Sequence, residues 1–247
     1  MTDMTLENRT NTEKLLFNPE DYTLKEILSP KHSALLVVDV QNDFCDPKGK
    51  FAGWGRDISQ MQEIVPHIQH LIDTAHKAQV PVIFTRGFED VKFRSGPDLR
   101  RAVRWEEKDG DGSVNSESGT FGSEFYKVKP EEGDIVVEKH KWSAFAGKDR
   151  DGKTLQEILE ELGVKTLVVT GVVAETCVET TVRDAYDKNY FVVIPRNSVG
   201  SNDQEQLETR MKYWEKGFIG DAVTEEVIRQ NWLAKVQSPQ LSQVSEQ

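Results

Sequence analysis

SALLVVDV, at residues 33–40, is continuous, rich in β-branched side chains and too short for a helix, so it reads as a strand buried on both faces. The same kind of run returns as PVIFT, DIVVEK, TLVVTG, FVVIP and a short FIG. Between these runs lie segments with helical spacing. In ISQMQEIVPHIQHLIDTAHKA the apolar positions are Ile64, Ile68, Leu71, Ile72 and Ala75. TLQEILEELG is closed by Gly163, and further helices are expected from about Glu175, over Gln204–Lys216 and over Thr224–Leu233. Strand–helix alternation with right-handed crossovers leaves one architecture: an open parallel sheet of about six strands with helices on both faces, a three-layer Rossmann-like α/β fold.

A chain of 247 residues suits one such domain, expected over residues 22–235 between polar tails at 1–21 and 236–247. Two cysteines do not make a disulfide framework, and no run reaches the length of a membrane helix, so a cytoplasmic setting is expected. The net charge of −11 argues against nucleic acid or an anionic membrane as partner and leaves small molecules. Trp105 to Tyr126 reads as a long irregular loop, of the kind that is functional or disordered.

In parallel sheets, sites form beyond the carboxyl ends of the strands. Asp39 closes SALLVVD, Lys139 closes DIVVEK, and Cys177 follows TLVVTG after a short turn. Taken singly, each has a plain reading as a capping carboxylate, a solvated lysine or a small buried hydrophobe. Together they can form a nucleophilic site. A nearby ammonium and a helix N-terminus would lower the thiol pKa, and the aspartate would move the proton. Lys141 would point to the same side as Lys139 in an extended segment and stays open as an alternative, whereas His140 points away.

LLVVDVQNDFCDPKG, VVEKHKWSAF and VVTGVVAETCVETTVRDA, in that order and with VIPRNSVGS trailing, resemble the isochorismatase-like cysteine hydrolases over about Ser33 to Asp221. The similarity is to the branch containing N-carbamoylsarcosine amidase and ureidoacrylate amidohydrolase. It implies a triad of Asp39, Lys139 and Cys177, the lysine standing four residues before Ser143. It also implies a cis peptide between Val172 and Val173, an oxyanion hole from the N–H groups of Val173 and Cys177, a homo-oligomer, and a small amide or ureido substrate with no cofactor. The metal-dependent nicotinamidases of that superfamily carry an Asp-x-His cluster after the second strand. Here the region reads TRGFEDVKF, so no catalytic metal is expected. Where the carbamoylsarcosine enzyme has a carboxylate-binding arginine, this chain has Asn202. Arg86 and Arg94 are then the candidates for that task, and Phe44, Trp54 and Trp142 for apolar walls.

Two other signals are set aside. GKDRDGKT at 147–154 fits the P-loop pattern, but seven residues separate it from its strand, and Asp149 and Asp151 would repel phosphate. His67, His70 and His76 share a helix, but the sequence offers no third ligand for the His67–His70 pair, which reads as a solvated face.

Overall fold

The computed structural model describes residues 22–106, 114–217 and 219–236. The strands are β1 (Ser33–Val38), β2 (Val82–Gly87), β3 (Ile135–Lys139), β4 (Thr166–Val172), β5 (Phe191–Pro195), β6 (Val199–Gly200) and β7 (Asp221–Val223). All pair in parallel, in the order β3-β2-β1-β4-β5-β7, with the two-residue β6 set against the end of β4. The sheet thus has one more short strand than the sequence suggests, and its last strand starts at Asp221 rather than within FIG. The expected tails lie outside the described residues, except that Val236 closes the last helix.

The two faces of the sheet can be read along β1. Leu35 and Val37 enter one core with Val82, Phe84, Val168 and Val193, while Ala34, Leu36 and Val38 enter the other with Ile83, Leu167 and Val169. This period-2 partition of a wholly apolar run is what a strand covered on both faces requires. Helices α1 (Val65–Lys77) and α6 (Glu225–Val236) cover the first face through Ile68, Leu71, Ile72, Ile228 and Trp232. Helices α3 (Leu155–Glu161), α4 (Glu179–Asp187) and α5 (Gln204–Glu215) cover the second. Pro66 splits the expected long first helix into a short turn at Ser59–Glu63 and α1, since proline fits only the first turn of a helix.

Helix α2 (Gly96–Glu106) was not read from the sequence and takes the start of the expected loop. The rest of that loop, from Asn115 onward, is held by the residues after β1. Asn42 Nδ2 donates to the Phe121 carbonyl, Gln41 Nε2 to the Ser123 carbonyl, and Asp43 Oδ2 accepts the Ser116 N–H. The QNDF stretch therefore works as a strap that fixes a loop beside the strand ends.

GKDRDGKT forms a closed turn. Asp149 Oδ1 accepts the N–H groups of Asp151 and Lys153, filling with its own carboxylate the place a phosphate would need, and Thr154 with Glu157 makes a capping box for α3. Among the described residues no helix is long and apolar enough to cross a membrane.

Candidate active site

β1 lies between β2 and β4, so the strand order reverses direction there, and the crevice beyond these carboxyl ends is where a parallel sheet opens a site. Asp39, the residue after β1, sits at φ +49°, in the left-handed region that a non-glycine residue adopts at a cost. Its backbone turn is held by Thr85 on β2. The Asp39 N–H donates to Thr85 Oγ1 at 3.1 Å, and the Thr85 hydroxyl donates to Asp39 Oδ1 at 2.7 Å. The neighbouring strand comes close because Gly171, at φ +107°, has no side chain; a Cβ there would lie 2.0 Å from the Val38 carbonyl oxygen.

The other carboxylate oxygen, Oδ2, accepts from Lys139 Nζ at 2.6 Å, and both side chains are almost fully buried. The ammonium also donates to the Lys141 carbonyl at 3.1 Å and lies 3.5 Å from Cys177 Sγ. Burial works against the charge on Lys139, but Asp39 and then Cys177 hold its pKa above the ordinary lysine value. Lys141 is ruled out as the buried cation: its own Nζ pairs with Asp98 at the surface. His140 stacks on Phe93 and faces the Phe88 carbonyl.

Cys177 departs from its expected setting. It lies in a wide π-turn, Ala174–Val178, that precedes α4, rather than at the head of the α-helix itself. The Val173 carbonyl accepts from Thr176 and Val178, the residues on either side of Cys177. The Val172–Val173 peptide is cis. The surroundings oppose the low thiol pKa expected from the sequence. Desolvation pushes it up to about 12, Lys139 pulls it down, and the hydrogen-bonded Asp39 carboxylate pushes it up again. The site therefore gathers the Cys177 sulfur, the Asp39 carboxyl group and the Lys139 nitrogen in one place. Cys45, the second cysteine, is buried and its pKa is raised further by desolvation.

Thr85 is a positioning residue that the sequence did not single out. Thr85→Val should lower kcat tenfold or more, the kinetic equivalent of about 1.4 kcal/mol, while Thr85→Ser restores it. Unchanged kcat in the valine variant would remove Thr85 from the site.

These groups floor a cavity of about 490 Å³ whose walls include Phe44, Phe88, Phe93 and Trp142. Phe44 and Trp142 thus stand where the sequence placed them. Trp54 does not: it packs beside Phe51 with Arg56 over its ring, outside the cavity. Arg86 also points away, paired with Glu138 at 2.5 Å, because alternation along β2 gives Thr85 the site and Arg86 the opposite side. Asn202 is likewise outside. Arg94, Arg101 and Arg104 do line the cavity; the last two come from α2, which sequence reading passed over. The residues after β2 do not fit the metal of the nicotinamidase branch. That stretch has no histidine, Asp90 is tied to the Ser118 N–H and hydroxyl, and Glu89 pairs with Arg101.

Residues 33–226 match the model of the isochorismatase domain. The chain is 31% identical over 205 residues to the ureidoacrylate amidohydrolase of Variovorax paradoxus, covering 78% of each chain. Its fold is shared with a cysteine hydrolase from Pseudomonas syringae pv. phaseolicola (TM-score 0.69, 22% identity, 83% of this chain and 94% of that one). It is shared also with the N-carbamoylsarcosine amidase of Thermoplasma acidophilum (TM-score 0.60, 24% identity, 79% and 97%). With the motif order, the parallel sheet and the family match in agreement, the chain belongs to the isochorismatase family.

Proposed function

We propose that this protein is a cysteine amidohydrolase that cleaves a carbon–nitrogen bond of a small amide, ureido or carbamoyl compound without a metal. The convergence of Cys177 Sγ, Lys139 Nζ and the Asp39 carboxylate at the floor of one cavity carries this reading. The relatives named as ureidoacrylate amidohydrolases support the same bond class.

The chemistry follows from the resting charges. As Cys177 Sγ attacks the substrate carbonyl, its proton passes to Asp39 Oδ2, so the thiolate never has to exist free in a dry site. The N–H groups of Val173 and Cys177 receive the carbonyl oxygen as it gains charge. Asp39 then gives the proton to the departing nitrogen, which leaves as ammonia or an amine, and Cys177 is left as a thioester. Water attacks the thioester, Asp39 takes a proton of that water and passes it to the departing sulfur, and the thiol is restored with release of the acid. Lys139 stays charged throughout and holds the Asp39 carboxyl group in place in both halves.

Arg94 is the partner for a substrate carboxylate. Its side chain is 13% exposed at the cavity wall, its Nε has no hydrogen-bond partner among the described residues, and its nearest acid, Glu89, stands 3.8 Å away. The aromatic walls suit an apolar or unsaturated body between that carboxylate and the scissile bond. Ammonia release from ureido acids, carbamoyl amino acids, biuret, nicotinamide and maleamate, measured after dialysis against a strong chelator, tests the whole reading. Turnover is expected on a carboxylate-bearing ureido or carbamoyl compound. Arg94→Ala should raise KM for that compound by about 10–100-fold, the equivalent of losing one hydrogen bond to a charged group. Activity confined to nicotinamide and restored only by metal would replace this reading with the nicotinamidase one.

A further inference from the structure

His67 and His70 do not form the solvated pair expected from the sequence. One turn apart on α1, they converge on a carboxylate from the first turn of α6. His67 Nδ1 lies 3.2 Å from Glu225 Oε2, and His70 Nδ1 lies 3.2 Å from Oε1. The Glu225 side chain is only 8% exposed, and its Oε2 receives no hydrogen bond among the described residues. Asn197, after β5, accounts for this. Its Oδ1 accepts the Glu225 N–H at 3.1 Å, which orients the amide so that Nδ2 donates to His67 Nδ1 at 3.2 Å. The Asn197 amide nitrogen thus stands against His67 Nδ1, and Glu225 Oε2 is left with no donor aimed at it.

Arg229 offers only partial compensation. Its Nη1 is 3.7 Å from Oε1; that nitrogen is closer to Glu226, at 3.3 Å, and Nε donates to Thr74. A buried carboxylate oxygen without a donor calls for a cation. The three groups are within reach of one ion: a ligand atom from each lies within 4.8 Å of the others, and ligands at about 2.0–2.1 Å from a tetrahedral ion stand roughly 3.3 Å apart, a closure that side-chain rotation supplies. Two imidazole nitrogens and one carboxylate oxygen are a borderline-soft set suited to zinc. The histidine side chains are 41% and 51% exposed, which gives the ion an entry path and leaves its fourth position to water.

We propose that His67, His70 and Glu225 bind one zinc ion, or a first-row divalent ion of like preference, as a clasp between α1 and α6. Bound zinc takes the His67 lone pair now held by Asn197, whose amide stays fixed by the Glu225 N–H. None of the three ligands lines the catalytic cavity, so the clasp acts on stability and not on turnover.

The test uses the full chain freed of metal by a chelator and then titrated with zinc chloride, followed by calorimetry and thermal melting. One equivalent should bind, and the melting temperature should rise with zinc concentration. His70→Ala and His67→Ala, both changes at accessible side chains, should weaken binding by more than the roughly 10–100-fold that loss of an outer partner costs. His76→Ala, on the same helix but paired with Asp134, should bind as the parent does. Turnover at one equivalent of zinc should be unchanged. Absence of binding, or equal binding by His70→Ala, overturns the proposal. So does stoichiometric inhibition, which would put the metal on Cys177 and leave the hydrolase reading intact.

Discussion

Cys177→Ala loses turnover by roughly 10⁴–10⁶-fold, the scale at which removal of a covalent nucleophile is felt, while Cys45→Ala keeps activity. The alanine variant should accumulate no acyl adduct when substrate is added and the protein is weighed by mass spectrometry; the parent should show a transient thioester. The pH dependence of alkylation separates a resting thiol from a resting thiolate. With the Cys177 pKa at about 12, the reactive fraction grows tenfold per pH unit between pH 7 and 9.5. Iodoacetamide should therefore modify Cys177 slowly at pH 7 and ever faster at higher pH, with no plateau near 8.5. A plateau at or below pH 8 would mean that Lys139 outweighs burial. Retained turnover in Cys177→Ala would end the covalent mechanism.

Asp39→Asn has the second largest effect. The amide cannot take the thiol proton, so kcat falls about 10²–10⁴-fold. Viewed from the sequence alone, this substitution relieves a buried charge and preserves or raises the melting temperature. The structure reverses that sign. Asp39 and Lys139 are mutually buried at 2.6 Å, and removing one partner leaves an ammonium in a dry site, a loss of about 3–5 kcal/mol. The double variant Asp39→Asn/Lys139→Met should recover much of that stability and none of the activity. A double variant no more stable than Asp39→Asn would show that the pair is not coupled as the geometry has it. Near-parental activity in Asp39→Asn would dismiss it as the proton carrier.

The sheet was legible because its strands are buried on both faces, and a run such as SALLVV has no other use at that length. The strand-end positions of Asp39, Lys139 and Cys177 were legible because strand ends are, and the family motifs suggested the roles proposed for them. Helix α2 was missed because its Leu99 and Val103 face solvent, leaving no buried stripe to detect. Its start nevertheless carries a signature in Ser95-Gly-Pro-Asp98, where the aspartate accepts the Ser95 N–H and hydroxyl. Arg86 could have been set aside by counting alternate residues from Thr85. The thiol pKa could not have been read correctly from the sequence. Sequence shows a neighbouring lysine and a helix start but carries no measure of desolvation, and here desolvation is the largest influence on Cys177. The third ligand for His67 and His70 was out of reach for a like reason: Glu225 lies 155 residues from His70 along the chain.

The Asp39–Lys139 pair joins residues 100 apart, and the sulfur lies another 38 positions on. That spacing orders events on the ribosome. When β1 and β2 first emerge, β4 does not exist to flank β1, and the Asp39 carboxylate remains in water, where its charge costs nothing. Lys139 must be made before the charge can be enclosed beside a partner, and Cys177 comes later still along the chain. A chain cut before Cys177 keeps Cys45 but has no sulfur for the Asp39–Lys139 pair to face, and a complete but unfolded one exposes two ordinary thiols outside that setting. The closeness of these three groups thus depends on distant parts of the chain coming together and is lost wherever the sheet is not built.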